Sequence, residues 1–239
     1  MRVALIQHRV RDPDALGRDP DLIASVVHRA ANAGAKLVVA PETCFYRYEP
    51  WECNGVSMAH LAGHYDVLRA RFATLAAERG ISLVIGLRQP SHDADRPVWN
   101  TGLFFGPDGA LLREQHKIVP SLAEKTWTLP GEPGVFESPF GRTALMICKT
   151  AKTERWSVYN EGSLDLFILI AGDKDATSFS RFGDICRANH CPGVLANQIK
   201  GVGSEGYKGN SAWGTADGSV TYLGDREDVY YRDLDIPGR

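Results

Sequence analysis

The sequence is short of several things at once. It has only five cysteines in 239 residues, Cys44, Cys53, Cys148, Cys186 and Cys191. That number is small and odd, so a disulfide framework does not fit and free thiols in a reducing compartment are expected. There is no long hydrophobic run either. The first apolar stretch is Val3 to Ile6, too short for a secretory core and far too short for a membrane span. A cytoplasmic protein without a membrane partner is the expectation. Charge of one sign is also missing: 27 Lys and Arg against 29 Asp and Glu leave a net −2. With no Lys/Arg run, nothing draws the molecule to nucleic acid. No repeat, low-complexity tract or Pro/Gly/Ser linker divides the chain, so a single domain over residues 1–239 is expected.

What is present is a series of short apolar segments. Val3 to Ile6 reads as a buried strand, and Asp19-Pro20 then caps a helix whose apolar positions run from Leu22 to Ala31. Leu37 to Ala40 is a second strand. Leu68, Phe72, Leu75 and Ala76 recur at helical spacing before Gly80, and Ile81 to Gly86 is a third strand. Asn100 to Phe105 and Ala110 to Gln115 flank Gly106-Pro107-Asp108-Gly109 and predict a hairpin. Strands are expected at Ala144 to Ile147, Leu166 to Ile170 and Val194 to Ala196. Helices are expected after Cys148, through Trp156 to Asn160, and from Ser178 to Ala188. The end reads as β-rich, turning at Asp217-Gly218. The alternation gives an α/β layered fold.

Three reactive side chains sit at strand ends: Glu42 after Pro41, Lys117 after the hairpin, and Cys148 after Met146-Ile147. Alone, each has an ordinary reading, as a surface carboxylate, a solvated lysine and a small buried filler. Together they form a chemical set. A thiol needs a base to become a nucleophile, and a partly desolvated carboxylate serves as one. Attack on an amide or nitrile carbon builds negative charge, which an ammonium stabilises.

Pro41-Glu42, Lys117 and Ile147-Cys148, in that order, resemble the nitrilase superfamily of carbon–nitrogen hydrolases. The resemblance extends along the chain. Gly109 to Lys117 is similar to the family's glycine turn and the strand leading to its lysine. Glu124, followed by Trp127 and Leu129-Pro130-Gly131, looks like its second glutamate. Gly162 to Leu166, Ala196-Asn197-Gln198, Gly209-Asn210-Ser211 and Asp217-Gly218 follow its later pattern. The resemblance implies a four-layer α-β-β-α sandwich of the nitrilase type, acting as a homodimer or higher homo-oligomer. It implies Glu42 as general base, Lys117 as stabiliser of the tetrahedral intermediate and Cys148 as the acylated nucleophile. Glu124 would position the substrate or relay a proton, and the Lys149 amide would help form an oxyanion hole. Tyr48 and Trp127 would line the pocket for a small amide-like substrate, and neither a cofactor nor a metal is called for.

The departures gather around the same cysteine. Thr150 stands where family members usually carry an acidic or amide residue, and Lys152-Thr153-Glu154 replaces an aromatic-Pro-Glu sequence. Val119 stands where a histidine is common, and Arg187-Ala188-Asn189-His190 lacks the usual acidic residue. These changes motivate a second reading, a catalytically weak or inactive member that binds a ligand or partner. A Cys–His hydrolase is a third, without a histidine to fix it. Lys149 and Lys152 either lower the thiol's pKa, attract a substrate carboxylate or face solvent, the last being the expectation for Lys152. Cys186, His190 and Cys191 lack standard zinc-ligand spacing and read as core thiols beside a capping or surface histidine. Phe45, Tyr46, Tyr48 and Trp51 form an aromatic cluster after Glu42, and Gly201 to Gly206 reads as a loop at the rim of the site.

Overall fold

The computed structural model of the chain describes residues 1–9, 11, 18–45, 58–154, 159, 164–200 and 206–236. Two six-stranded mixed sheets carry the fold. In the first, β1 (Arg2–Gln7), β2 (Leu37–Val39) and β3 (Ser82–Pro90) run parallel. Beyond β3, β4 (Val98–Phe105) and β5 (Leu111–His116) add antiparallel strands. On the other side, β12 (Asp228–Asp233) returns from the far end of the chain to pair with β1. The second sheet repeats the plan: β7 (Gly141–Ile147), β8 (Leu166–Ala171) and β9 (Gly193–Asn197) are parallel. They are flanked by antiparallel β6 (Val135–Ser138) on one side, and by β10 (Ala212–Gly214) and β11 (Val220–Tyr222) on the other.

The apolar runs are continuous because both faces of each sheet are covered. In β1, Val3 and Leu5 face the second sheet, whereas Ala4 and Ile6 join the core beneath the helices. Leu37, Val39, Val84 and Phe104 continue the inter-sheet face, and Val38, Leu83, Ile85 and Phe105 the helix face. Helices α1 (Arg18–Asn32) and α2 (Met58–Arg79) bury Ile23, Val27, Leu68, Phe72 and Leu75 on that outer face. On the second sheet, α3 (Arg181–Asn189) packs Phe182 and Ile185. The result is an α-β-β-α sandwich. Gly102 lets its layers approach, since a Cβ there would lie 3.1 Å from both Leu145 and Ile170.

The observed segments differ from expectation in places. Immediately after Cys148 the chain forms a 3₁₀ turn, Cys148–Lys152, and Thr153 is already extended. The expected helix there falls largely on residues 155–158 and 160, outside the described ones. The short strand β6 and the pairing of β12 with β1 were not anticipated. Half-buried edge segments carry too few apolar residues to announce themselves.

Phe104 is fully buried between the sheets, its ring 5.1 Å from Phe136 and 6.5 Å from Phe140. Phe104→Ala is expected to lower unfolding free energy by about 3–5 kcal/mol in urea titrations, and Phe104→Leu by clearly less.

Candidate active site

The reactive residues converge at one end of the sandwich. Glu42 follows β2, Cys148 follows β7, Gly172 follows β8 and Gln198 follows β9, all at carboxyl ends of parallel strands. Open α/β sheets commonly place ligands at that end. Lys117 leaves β5 at the same end, pinned by its own N–H on the Asn100 carbonyl (2.8 Å) and by Gly131 N–H on its carbonyl (2.9 Å).

At the centre is a buried charge cluster. The Lys117 ammonium donates to Glu42 Oε1 at 2.7 Å and to Glu124 Oε2 at 2.8 Å, and all three side chains are at most 1% exposed. The Asn100 amide bridges the same carboxylates, Nδ2 donating to Glu42 Oε1 at 2.7 Å and to Glu124 Oε1 at 2.8 Å. Because both carboxylates are acceptors, the orientation of that amide is fixed by chemistry. Glu42 Oε2 accepts from the Gly172 N–H at 2.6 Å, and Glu124 Oε2 from the Ser121 N–H at 2.7 Å. Burial alone would push the Glu124 carboxyl up. The Lys117 charge, with the Ser121 and Asn100 donors, overcomes it and holds Glu124 at about 2. Glu124 is therefore ionised throughout the neutral range.

Two strained turns aim the groups. Thr43 has φ +42° and Cys148 φ +43°, left-handed conformations unusual for these residue types. The first strain is enforced by a close approach to β3. A Cβ on Gly86 would sit 2.6 Å from Glu42 Cα, Pro41 O and Thr43 N. The Gln198 amide completes the clamp, donating to the Glu42 carbonyl at 2.6 Å and the Thr43 carbonyl at 3.1 Å. The second strain places Cys148 at the mouth of β7, 3% exposed. Burial pushes its thiol well above the ordinary value, the Glu42 charge adds to this, and Lys117 opposes it. Asp173 and Glu124 push the thiol up further. The resting sulfur is thus a neutral thiol at neutral pH, and the cation acting against this is Lys117.

Several residues take places that the sequence did not announce. Lys152, expected in solvent, is instead paired with Asp173 at 2.7 Å, because the 3₁₀ turn carries it back across the end of β8. Thr150 is fully buried, and its Oγ1 accepts from the Val119 N–H at 3.3 Å. Trp127 lies in the helix-side core, 6% exposed, with the Arg88 guanidinium 5.0 Å above its ring. Its backbone N–H closes the Glu124 turn at 3.0 Å, so its place is in packing this turn. Lys149 is half-buried beside the thiol. Tyr48 lies outside the described residues, as do Tyr46, Trp51, Cys53 and residues 201–205. The four described cysteines are free and buried. His190 is the left-handed cap of α3, and no cluster of three His, Cys, Asp or Glu among the described residues is arranged to hold a metal. Sequence reasoning missed Asn100, Gly172 and Tyr207. Tyr207 is half-buried, and its phenol is pushed up by burial first and then by the Glu42 and Asp173 carboxylates.

Two stability effects follow. Gly86→Ala forces the Glu42 backbone aside and is expected to cost about 1–3 kcal/mol in denaturant unfolding. Thr150→Val strands the Val119 N–H and is expected to cost about 1 kcal/mol, whereas Thr150→Ser keeps the acceptor and most of the stability.

The carbon-nitrogen hydrolase family pattern matches residues 2–237. An amidase from Nesterenkonia sp. superposes with a TM-score of 0.84 at 26% identity, over 98% of this chain and 90% of that one. An omega-amidase of Mus musculus is 26% identical over 98% of this chain and 88% of its own length. A pantetheinase of Sus scrofa is 28% identical over 56% of this chain, but only 31% of its own length is covered. The chain thus spans about a third of the length of that relative. Among the described residues no helix is long and apolar enough to cross a membrane. On the full-length family match and the shared fold, this chain belongs to the carbon-nitrogen hydrolase family, the nitrilase superfamily.

Proposed function

We propose that the chain hydrolyses the non-peptide C–N bond of a small amide or N-carbamoyl compound through a thioester on Cys148. The observation that carries this reading is the Lys117 ammonium held between Glu42 and Glu124 at 2.7 and 2.8 Å, with a buried thiol beside it.

In this reading Glu42 takes the thiol proton as the sulfur attacks the carbonyl carbon. The tetrahedral oxyanion is met by the Lys117 ammonium and the Lys149 amide. Collapse breaks the C–N bond, and Glu42 returns the proton to the departing ammonia or amine. Water then attacks the thioester. Glu42 accepts its proton, and collapse returns that proton to the sulfur as the acid leaves. Glu124 stays ionised and holds Lys117 in register. A raised thiol pKa suits this order, since the proton leaves only towards a base aligned to receive it.

The names of the relatives support amides as the first substrates. The Nesterenkonia amidase has been solved as a mutant in complex with butyramide, and a glutamate-to-glutamine mutant shows Michael addition of acrylamide at its active site cysteine. The competing reading, an inactive binding protein, rests mainly on Thr150 and on Lys152-Thr153-Glu154 after Cys148. Thr150 is buried and hydrogen-bonded in the site, which supports the active reading. A homodimer in the cytoplasm forms part of the same proposal.

The test is ammonia release from acrylamide, butyramide and N-carbamoyl amino acids. Cys148→Ala is expected to abolish it, and Glu42→Gln to slow it by roughly 10²–10⁴-fold. Acrylamide should still add to Cys148 in Glu42→Gln, seen as one adduct by intact mass, and not in Cys148→Ala. Hydrolysis unaffected by either substitution would sink the reading.

A further inference from the structure

The 3₁₀ turn that begins at Cys148 is anchored at its other end by an unusual ion pair. Lys152 Nζ meets Asp173 Oδ2 at 2.7 Å, and both side chains are only 23% exposed. The other oxygen is engaged as well. Asp173 Oδ1 accepts from the Asp175 N–H at 3.1 Å and the Ser178 hydroxyl at 3.4 Å. The backbone of Asp173 is tied to Asn197 in both directions, at 2.9 and 3.0 Å. The Lys152 ammonium also lies 4.6 Å over the Phe179 ring. An exposed surface pair would contribute little, but this one is three-quarters buried, fully coordinated and stacked.

Its location matters. Asp173 follows Gly172, whose N–H grips Glu42 Oε2 at 2.6 Å. Lys152 therefore fastens the turn of the thiol to the residue beside the Glu42 clamp. Asp173 is also one of the acidic groups acting on Cys148. The charged and titratable groups around that thiol come from every neighbouring element: Glu42 after β2, Lys117 after β5, Glu124 in the following turn, Asp173 after β8 and Tyr207 beyond β9. Lys149 and Lys152 lie on the turn itself. The central cluster already carries two carboxylates against one ammonium. A second uncompensated carboxylate would further oppose formation of the thiolate.

We propose that Lys152 and Asp173 are positioning residues for Cys148: their ion pair braces the nucleophile's turn against the Glu42 clamp and offsets part of the Asp173 charge that faces the sulfur. The proposal rests on the reading of Cys148 as the nucleophile. It assigns a function to a lysine for which solvent is the leading expectation from sequence.

The test follows iodoacetamide alkylation of Cys148 in the native protein, by peptide mass spectrometry from pH 6 to 9. It compares wild type, Lys152→Met, Lys152→Arg and the double variant Lys152→Met with Asp173→Asn. Lys152→Met is expected to slow alkylation roughly three- to tenfold near pH 7.5 and to move the pH profile upward. Lys152→Arg should keep the wild-type profile. The double variant, lacking both charges, should move the profile back towards wild type. A purely structural brace would not give that recovery. An unmoved profile in Lys152→Met, or a double variant as displaced as the single, overturns the proposal while leaving the nucleophile reading in place. If wild-type Cys148 reacts no faster than buried Cys44, Cys186 and Cys191, the nucleophile reading itself fails, and this inference with it.

Discussion

A single ammonium between two buried carboxylates dictates much of the structure. Removing three charges from water is costly, and their mutual attraction offsets the cost only if the remaining lone pairs and protons are also satisfied. The chain meets that demand with groups drawn from both sheets. Asn100 comes from β4, Ser121 from the turn before Glu124, and Gly172 from the end of β8. Neutralising Lys117 alone would leave two carboxylates facing each other without water, a loss of about 3–5 kcal/mol. The two sheets are thus coupled through one carboxylate, Glu42, which accepts from Lys117 and Asn100 on one side and from Gly172 on the other.

The same constraint explains the strained backbone nearby. Glu42 reaches the cluster only if the chain turns abruptly after Pro41, which puts Thr43 in the left-handed region and its neighbours hard against Gly86. Cys148 needs a similar turn at the end of β7. Such conformations persist where the surroundings over-determine them. Here the restraints are Gln198 across the Glu42 turn, and Thr150 and Lys152 along the Cys148 turn. Two of the sequence departures also meet in space. Val119 and Thr150 replace a frequent histidine and a frequent acidic or amide residue, and they bond to each other through a backbone N–H and a hydroxyl. This is a local exchange of one polar contact for another.

Legibility from sequence followed the kind of force involved. The strands and helices were readable because burial on two faces leaves long apolar runs, such as Leu166 to Ile170, and helices leave periodic ones. Glu42, Lys117 and Cys148 could be singled out because their side-chain types together make a chemical set for acyl transfer. Asn100 could not, since a polar residue at the start of an apolar strand looks like a strand end until the two carboxylates are placed against it. Gly172 acts through a backbone N–H, which has no signature in sequence. Lys152 and Trp127 take places that their sequence positions do not show, for related reasons. A lysine beside a thiol looks solvated until Asp173, 21 residues later, is brought to it by β8. A tryptophan three residues after a buried glutamate looks like pocket lining, and its ring lies under Arg88.

The protonation of the thiol links these observations to chemistry. Many reactive cysteines are thiolates at rest, held so by a neighbouring cation. In this site the cation that opposes the shift, Lys117, is already claimed by two carboxylates, so burial and the negative charges together keep the thiol protonated. A resting thiolate would be a further buried anion beside Glu42 and Glu124, and the structure opposes it. In the proposed mechanism the proton of the sulfur passes to Glu42, which neutralises one carboxylate as the thiolate forms. The number of negative charges around Lys117 then stays constant through the transfer. Charge conservation within a fixed, buried cluster would let the thiol and the Glu42 carboxylate exchange a proton with little reorganisation of the groups around them.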